Sequence, residues 1–162
     1  MNTIPKGEIT RVAETRLGRY QVEARVGQSA FLIDEPVEAG GLGSGPNPYN
    51  LLSAALGACK TMTIRLYANR KNWPLKHVEV AVRHRRAALN ARDIFDVDVT
   101  LQGALDDAQR ARLMEIGDRC PVSITLTRGA DVHSVLEPDV ENLSPPLEDV
   151  AHMKCMEESC AD

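Results

Sequence analysis

The stretch Gly45-Pro46-Asn47-Pro48-Tyr49-Asn50-Leu51-Leu52-Ser53-Ala54-Ala55-Leu56-Gly57-Ala58-Cys59 decides how the rest of the chain is read. It follows Gly40-Gly41-Leu42-Gly43-Ser44, where repeated glycine rules out helix and ladder, so a loop runs into a helix start. Asn47 is a capping residue type, and Pro48 suits the first helical position because its missing N–H is not needed there. The helix is predicted from about Pro48 to Lys71, with Trp73-Pro74 as its stop. From Leu51 to Cys59 it is apolar on nearly every face, and only Arg65, Arg70 and Lys71 mark an ordinary surface. A helix apolar all round needs cover on every side, which one small domain supplies poorly. A second copy of the chain packing over it is the economical solution, so an intertwined homodimer is expected.

Working outward, the N-terminal third alternates apolar and polar residues through Glu8–Ala13 and Tyr20–Val26, with a turn at Leu17-Gly18-Arg19. Ala30–Ile33 adds a third short strand, stopped by the Asp34-Glu35-Pro36 turn, and the three make a meander. Beyond the helix, two longer strands place Val78, Val80, Val82 and then Val97, Val99, Leu101 on one face. Asp106–Arg119 reads as an amphipathic helix capped by Asp106 and carrying apolar Ala108, Leu113, Met114 and Ile116. Cys120-Pro121 breaks it, Val122–Thr127 makes a helical turn, and Val132–Leu136 reads as a last strand. The fold class is therefore α+β. One domain spans residues 1–137, and residues 138–162 form a Pro- and acid-rich tail with a short helix near Val150–Glu158.

Bulk properties exclude several functions. A net charge of -4 gives no electrostatic reason to expect nucleic acid or anionic membrane as partner. The apolar run at Leu51–Cys59 is far too short to span a bilayer. The opening MNTIPKGEITRVA lacks an apolar signal region, so a cytoplasmic location is expected. In a reducing compartment four cysteines are not a disulfide framework, and chemistry or burial must explain them.

Cys59 lies mid-helix among the small residues Ala55, Gly57 and Ala58, which leave room beside the sulfur for a substrate or a close helix crossing. Cys120 precedes Pro121, and a helix starting there would offer free N–H groups to a thiolate. Each cysteine taken singly can equally be a small buried hydrophobe. There is no C-x-x-C and histidine is scarce, so no metal site is expected. Lys60, next to Cys59, projects about 100° away around the helix and is not expected to activate it. His84-Arg85-Arg86 reads as a solvated strand end, with guidance of an acidic partner as the sharper alternative. Cys155 and Cys160 fall in the tail at a spacing too loose for a redox pair, and no function is assigned to them.

The segment Gly45–Cys59 resembles the helix motif of the OsmC/Ohr family, the osmotically inducible and organic hydroperoxide resistance proteins. Cys120-Pro121-Val122-Ser123 resembles that family's second cysteine motif, and the two occur in the expected order, separated by two strands and a helix. The resemblance covers about Ile9 to Leu136 and leaves the tail outside. The Pro-Tyr-x-Leu-Leu form, with Met62-Thr63 and Arg65-Leu66-Tyr67-Ala68, resembles a less characterised branch.

The resemblance implies an OsmC-like fold and a two-cysteine peroxidase without cofactor or metal. Cys59 would attack an organic hydroperoxide and become a sulfenic acid. Cys120 would close a Cys59–Cys120 disulfide, which a dithiol such as a lipoylated protein reopens. Family members are understood to activate the first thiol with an arginine from the N-terminal strands, held by a glutamate just after the Asn-Pro. Here that position is Tyr49, whose phenol can hydrogen-bond a guanidinium but cannot pair with it as a charge. The implied catalytic set is Cys59, Cys120, Arg25 and Tyr49, with Arg19 as the alternative to Arg25. The missing glutamate motivates a second reading, a non-enzymatic redox-responsive or ligand-binding dimer. A thiol hydrolase or acyl transferase ranks last, because His77, His84, His133 and His152 carry no recognisable catalytic setting.

Overall fold

The computed structural model describes residues 9–136 and 151–160. These fall into two compact units, one of residues 9–48, 129–136 and 151, the other of residues 49–128 and 152–160.

The first unit is the expected meander. Strands β1 (Arg11–Glu14), β2 (Val22–Val26) and β3 (Ser29–Ile33) pair antiparallel in that order. Gly27, at φ 55°, makes the tight β2–β3 turn that brings Val26 opposite Ser29. After β3 the chain folds back on itself around the buried Asp34. The Asp34 carboxylate accepts the amides of Glu35, Leu42 and Ser44 at 2.9, 3.0 and 3.3 Å and the Ser44 hydroxyl at 2.8 Å. Asp34 is thus more than the turn signal read from sequence, since it organises the glycine-rich loop. Glycine is required at two points of that loop. A Cβ at Gly41 would lie 1.9 Å from the Glu35 carbonyl oxygen, and one at Gly45 2.1 Å from that of Leu32. The strand expected at Val132–Leu136 does not form. Val132, Val135 and Leu136 are exposed without a ladder, because alternation makes a strand only where a sheet edge receives it.

The second unit is built on the long helix α1 (Pro48–Arg70), which ends one residue before the predicted boundary. Strands β4 (Leu75–Arg85) and β5 (Ile94–Gly103) form an antiparallel pair with Val78 opposite Leu101, Val80 opposite Val99 and Val82 opposite Val97. Helix α2 (Asp107–Asp118) starts at a capping box. Asp106 accepts the Gln109 amide, and the Gln109 side chain accepts the Asp106 amide. Helix α3 (Pro121–Arg128) follows at once, and α4 (Ala151–Ser159) is the last element.

The buried positions of α1 are Leu56, Cys59, Lys60, Thr63, Ile64, Tyr67 and Ala68, a stripe at helical spacing. Its lower half packs Ile64, Tyr67 and Ala68 against Leu75, Val78, Leu105, Leu113 and Ile116. Met114 lies off the buried Leu113–Ile116 face and is 39% exposed. Leu52, one turn before Leu56 on the same face, and Met62, off the stripe, stay 41% and 50% exposed. The C-terminal helix is also more than a mobile tail. Met156 and Cys160 are buried, and Cys160 belongs to the Ile64 cluster.

Candidate functional site

The upper half of the α1 stripe meets the α2–α3 junction, and this contact brings Cys59 and Cys120 into one cluster with Leu56. Cys59 is 2% exposed and Cys120 fully buried, walled by Val82, Phe95, Val97, Val122 and Leu126. Both are free thiols. Pro121 begins α3, so Cys120 stands at its cap and accepts the Ser123 amide at 3.4 Å, the place a serine or aspartate side chain would take. The next free amide, that of Val122, points at Cys59 and donates to its Sγ at 3.5 Å.

These donors separate the two thiols. The Cys120 thiol donates to Cys59, and this bond, above the Val122 amide and His152, lowers the Cys59 pKa to about 5 against the opposing effect of burial. The Cys120 thiol is pushed up, chiefly by the same hydrogen bond and then by burial. Sequence alone suggested helix amides favouring a thiolate at Cys120; the geometry favours it at Cys59 and leaves Cys120 as the proton donor.

His152 corrects the sequence reading most directly. Its Nε2 lies 3.4 Å from the Cys59 Sγ, so a histidine does face the thiol. No local signal marks it, since the pairing joins residues 93 positions apart. Lys60 is buried and donates to the Asp118 carboxylate at 2.7 Å and the Gly117 carbonyl at 3.2 Å.

Within its own unit Tyr49 holds the guanidinium of Arg86. The phenol accepts a hydrogen bond from Arg86 Nη2, and the ring stacks on His84 with centroids 4.2 Å apart and planes within 6°. Asp93 ties the group together, taking His84 and Arg86 each at 2.7 Å, and His84 leans on Phe95 of the thiol cluster at 5.0 Å. The His84-Arg85-Arg86 segment is thus a partly exposed strand end whose His84 and Arg86 are tied to Asp93 and Tyr49. Arg25 pairs with Glu23 at 2.6 Å on the exposed side of β2, and Arg19 lies over the Tyr20 ring.

A cavity of about 350 Å³ opens beside the thiols, lined by Leu56, Phe95, Val97 and Leu126 with Lys60, Arg92 and Asp118 at its polar side. A second, of about 320 Å³, shares Arg92, Asp93, Phe95 and Leu126 with it and reaches Tyr49 and Leu52. The arrangement offers an ionisable sulfur, walled by apolar side chains, with a second thiol against it. Among the described residues no group of three His, Cys, Asp or Glu side chains is placed to hold a metal ion. Among the described residues no helix is long and apolar enough to cross a membrane.

The chain is similar in fold to solved OsmC and organic hydroperoxide resistance proteins. An OsmC-like protein from Mycoplasma pneumoniae superposes with a TM-score of 0.65 at 17% identity, over 76% of this chain and 89% of that one. An organic hydroperoxide resistance protein OsmC from Legionella pneumophila gives 0.53 at 25% identity, over 76% and 91%. The organic hydroperoxide resistance protein OhrB of Bacillus subtilis gives 0.52 at 23% identity, over 75% and 91%. No curated protein matches the sequence. The profile of the OsmC-like protein family matches residues 41–134, a span that begins in the glycine-rich loop and contains Cys59 and Cys120, and the chain belongs to that family.

Proposed function

We propose that this chain is a thiol-dependent peroxidase that reduces organic hydroperoxides to alcohols through Cys59 and Cys120. The observation that carries the reading is the pair of donors on one buried sulfur: the Cys120 thiol and the Val122 amide both point at Cys59. A sulfur so held is a thiolate at neutral pH and therefore the nucleophile. It attacks the distal oxygen of the hydroperoxide, the O–O bond breaks, and the electron pair leaves with the alkoxide. Cys59 is then a sulfenic acid. Cys120 attacks that sulfur, its own proton leaves with the hydroxide as water, and a Cys59–Cys120 disulfide closes. Two electrons from an external dithiol, such as a lipoylated protein, restore both thiols.

Membership of the family supports this reading, as do fold neighbours named for organic hydroperoxide resistance. The apolar side chains packed on the two sulfurs, Leu56, Val82, Phe95, Val97, Val122 and Leu126, suit the alkyl group of an organic hydroperoxide. The proposal includes a cytoplasmic homodimer that covers the exposed Leu52 and Met62 of α1. Within its own unit Cys59 is served by uncharged donors and an imidazole, and Tyr49 steadies Arg86.

The test is consumption of tert-butyl hydroperoxide by the purified chain with a dithiol reductant. Cys59→Ser should abolish turnover. Cys120→Ser should allow one turnover per chain and accumulate the sulfenic acid, trapped with dimedone. Unchanged turnover in Cys59→Ser removes the reading, and the non-enzymatic dimer then takes its place.

A further inference from the structure

In the peroxidase cycle the first step releases an alkoxide that needs a proton. Cys120 cannot supply it, because its proton leaves with water in the second step, and the Val122 N–H is a backbone amide. One ionisable ring lies at the reacting sulfur: the exposed imidazole of His152, with Nε2 3.4 Å from Cys59 Sγ. The helix that carries it is anchored. Met156 is buried, the Cys160 thiol donates to the Thr63 carbonyl at 3.7 Å, and Arg70 of α1 donates to the Glu157 carbonyl at 3.2 Å. These ties hold α4 to α1 just beyond the imidazole, so the ring is positioned by the fold.

We propose that His152 is a catalytic residue of this chain, taking the Cys59 thiol proton and delivering it to the departing alkoxide. The inference rests on the peroxidase reading and deepens it. In the resting pair the thiol proton sits on the imidazole, leaving thiolate and imidazolium. When the thiolate takes the distal oxygen with its hydrogen, the O–O bond breaks, the Nε2–H protonates the alkoxide, and neutral imidazole remains beside the sulfenic acid. The titratable group that shares the Cys59 sulfur with His152 is Cys120, while Lys60 of the same helix is engaged by Asp118.

The experiment alkylates the full-length protein with iodoacetamide between pH 4 and 9, with Cys59 followed by peptide mass spectrometry, so that no hydroperoxide is involved. His152→Ala and His152→Gln should both move the Cys59 profile to higher pH by about one unit, roughly a tenfold loss of rate on its acid limb. Added imidazole should restore the rate in His152→Gly but not in His152→Gln. Cys155→Ser, on the same helix, should leave the profile in place. Wild-type profiles in both His152→Ala and His152→Gln would overturn the proposal, and so would a loss in His152→Gly that imidazole does not relieve. A His152-dependent profile in a chain that does not consume hydroperoxide overturns the peroxidase reading and, with it, proton delivery by His152, leaving only its uptake of the Cys59 proton. Peroxidase turnover with a His152-independent profile overturns only this one.

Discussion

The Cys59 sulfur and the Val122 amide lie 3.5 Å apart, joining the middle of the long helix to the first turn of a helix 63 residues later. The same turn caps Cys120 through the Ser123 amide at 3.4 Å, so adjacent backbone amides serve two sulfurs. This places the donors that make one thiol a nucleophile and the other its resolving partner.

The strongest single influence holding the Cys59 pKa down is the Cys120 thiol. A group shifted down in this way is ionised once the pH exceeds its folded value. Cys59 alkylation should therefore rise through about pH 5 and be flat near neutrality, whereas a free thiol would still be climbing toward ~8.5. Cys120→Ala should move the profile up more than His152→Ala does, with at least about a tenfold loss at pH 6. Stopped-flow or mass-resolved alkylation checks both.

Lys60 and Asp118 form an ion pair that is buried at one end only, with side chains 6% and 73% exposed. Asp118→Ala removes a partner from a buried ammonium that keeps only the Gly117 carbonyl, and should cost about 1 kcal/mol, discounted because the carboxylate faces water. Lys60→Met removes the buried charge itself and should cost less. Urea midpoints of the two variants, read side by side, decide the order.

Glycine substitutions should split by sign. Gly41→Ala and Gly45→Ala drive a Cβ into backbone oxygens at 1.9 and 2.1 Å and should each destabilise by about 2–4 kcal/mol. Gly57, inside α1, has ordinary space, its Cβ position lying 3.5 Å from Val82. Gly57→Ala should stabilise by about 0.5–1 kcal/mol. Thermal denaturation of the three variants tests the contrast.

Acid should loosen the glycine-rich loop through Asp34. Burial raises its pKa, but the Ser44 hydroxyl and the Ser44, Leu42 and Glu35 amides outweigh that and hold it below the ordinary carboxylate value. A carboxyl depressed in the folded state contributes stability above its unfolded value of ~3.9 and loses it as pH falls through the folded one. Asp34→Asn should lower the urea midpoint at pH 7 and show a shallower decline on acidification. A decline as steep as that of the native chain would assign the acid sensitivity to another carboxylate.

Peroxide treatment should reduce the mass of the chain by two hydrogens and join the Cys59 and Cys120 peptides. Arg25→Ala should leave the peroxidase rate within about twofold, because a solvated strand ion pair contributes little. A loss of a hundredfold would return the activating cation to Arg25.

Local pattern determined much of this protein. The Pro48 helix start, the alternation of Val78-Val80-Val82 against Val97-Val99-Leu101 and the Asp106 cap each follow from periodicity or backbone chemistry within a few residues. The two cysteine motifs, short and continuous, were legible in the same way. Tertiary structure alone decided which groups meet a sulfur. His152, Arg86 and the Val122 amide reach their partners across 93, 37 and 63 residues, and no spacing rule spans such separations. It also withheld a strand at Val132–Leu136 and packed Met156 and Cys160 into the core. The reason is physical: helix and strand periods are set by neighbouring dihedrals, whereas a pKa, a proton path or a strand pairing depends on which distant surface arrives.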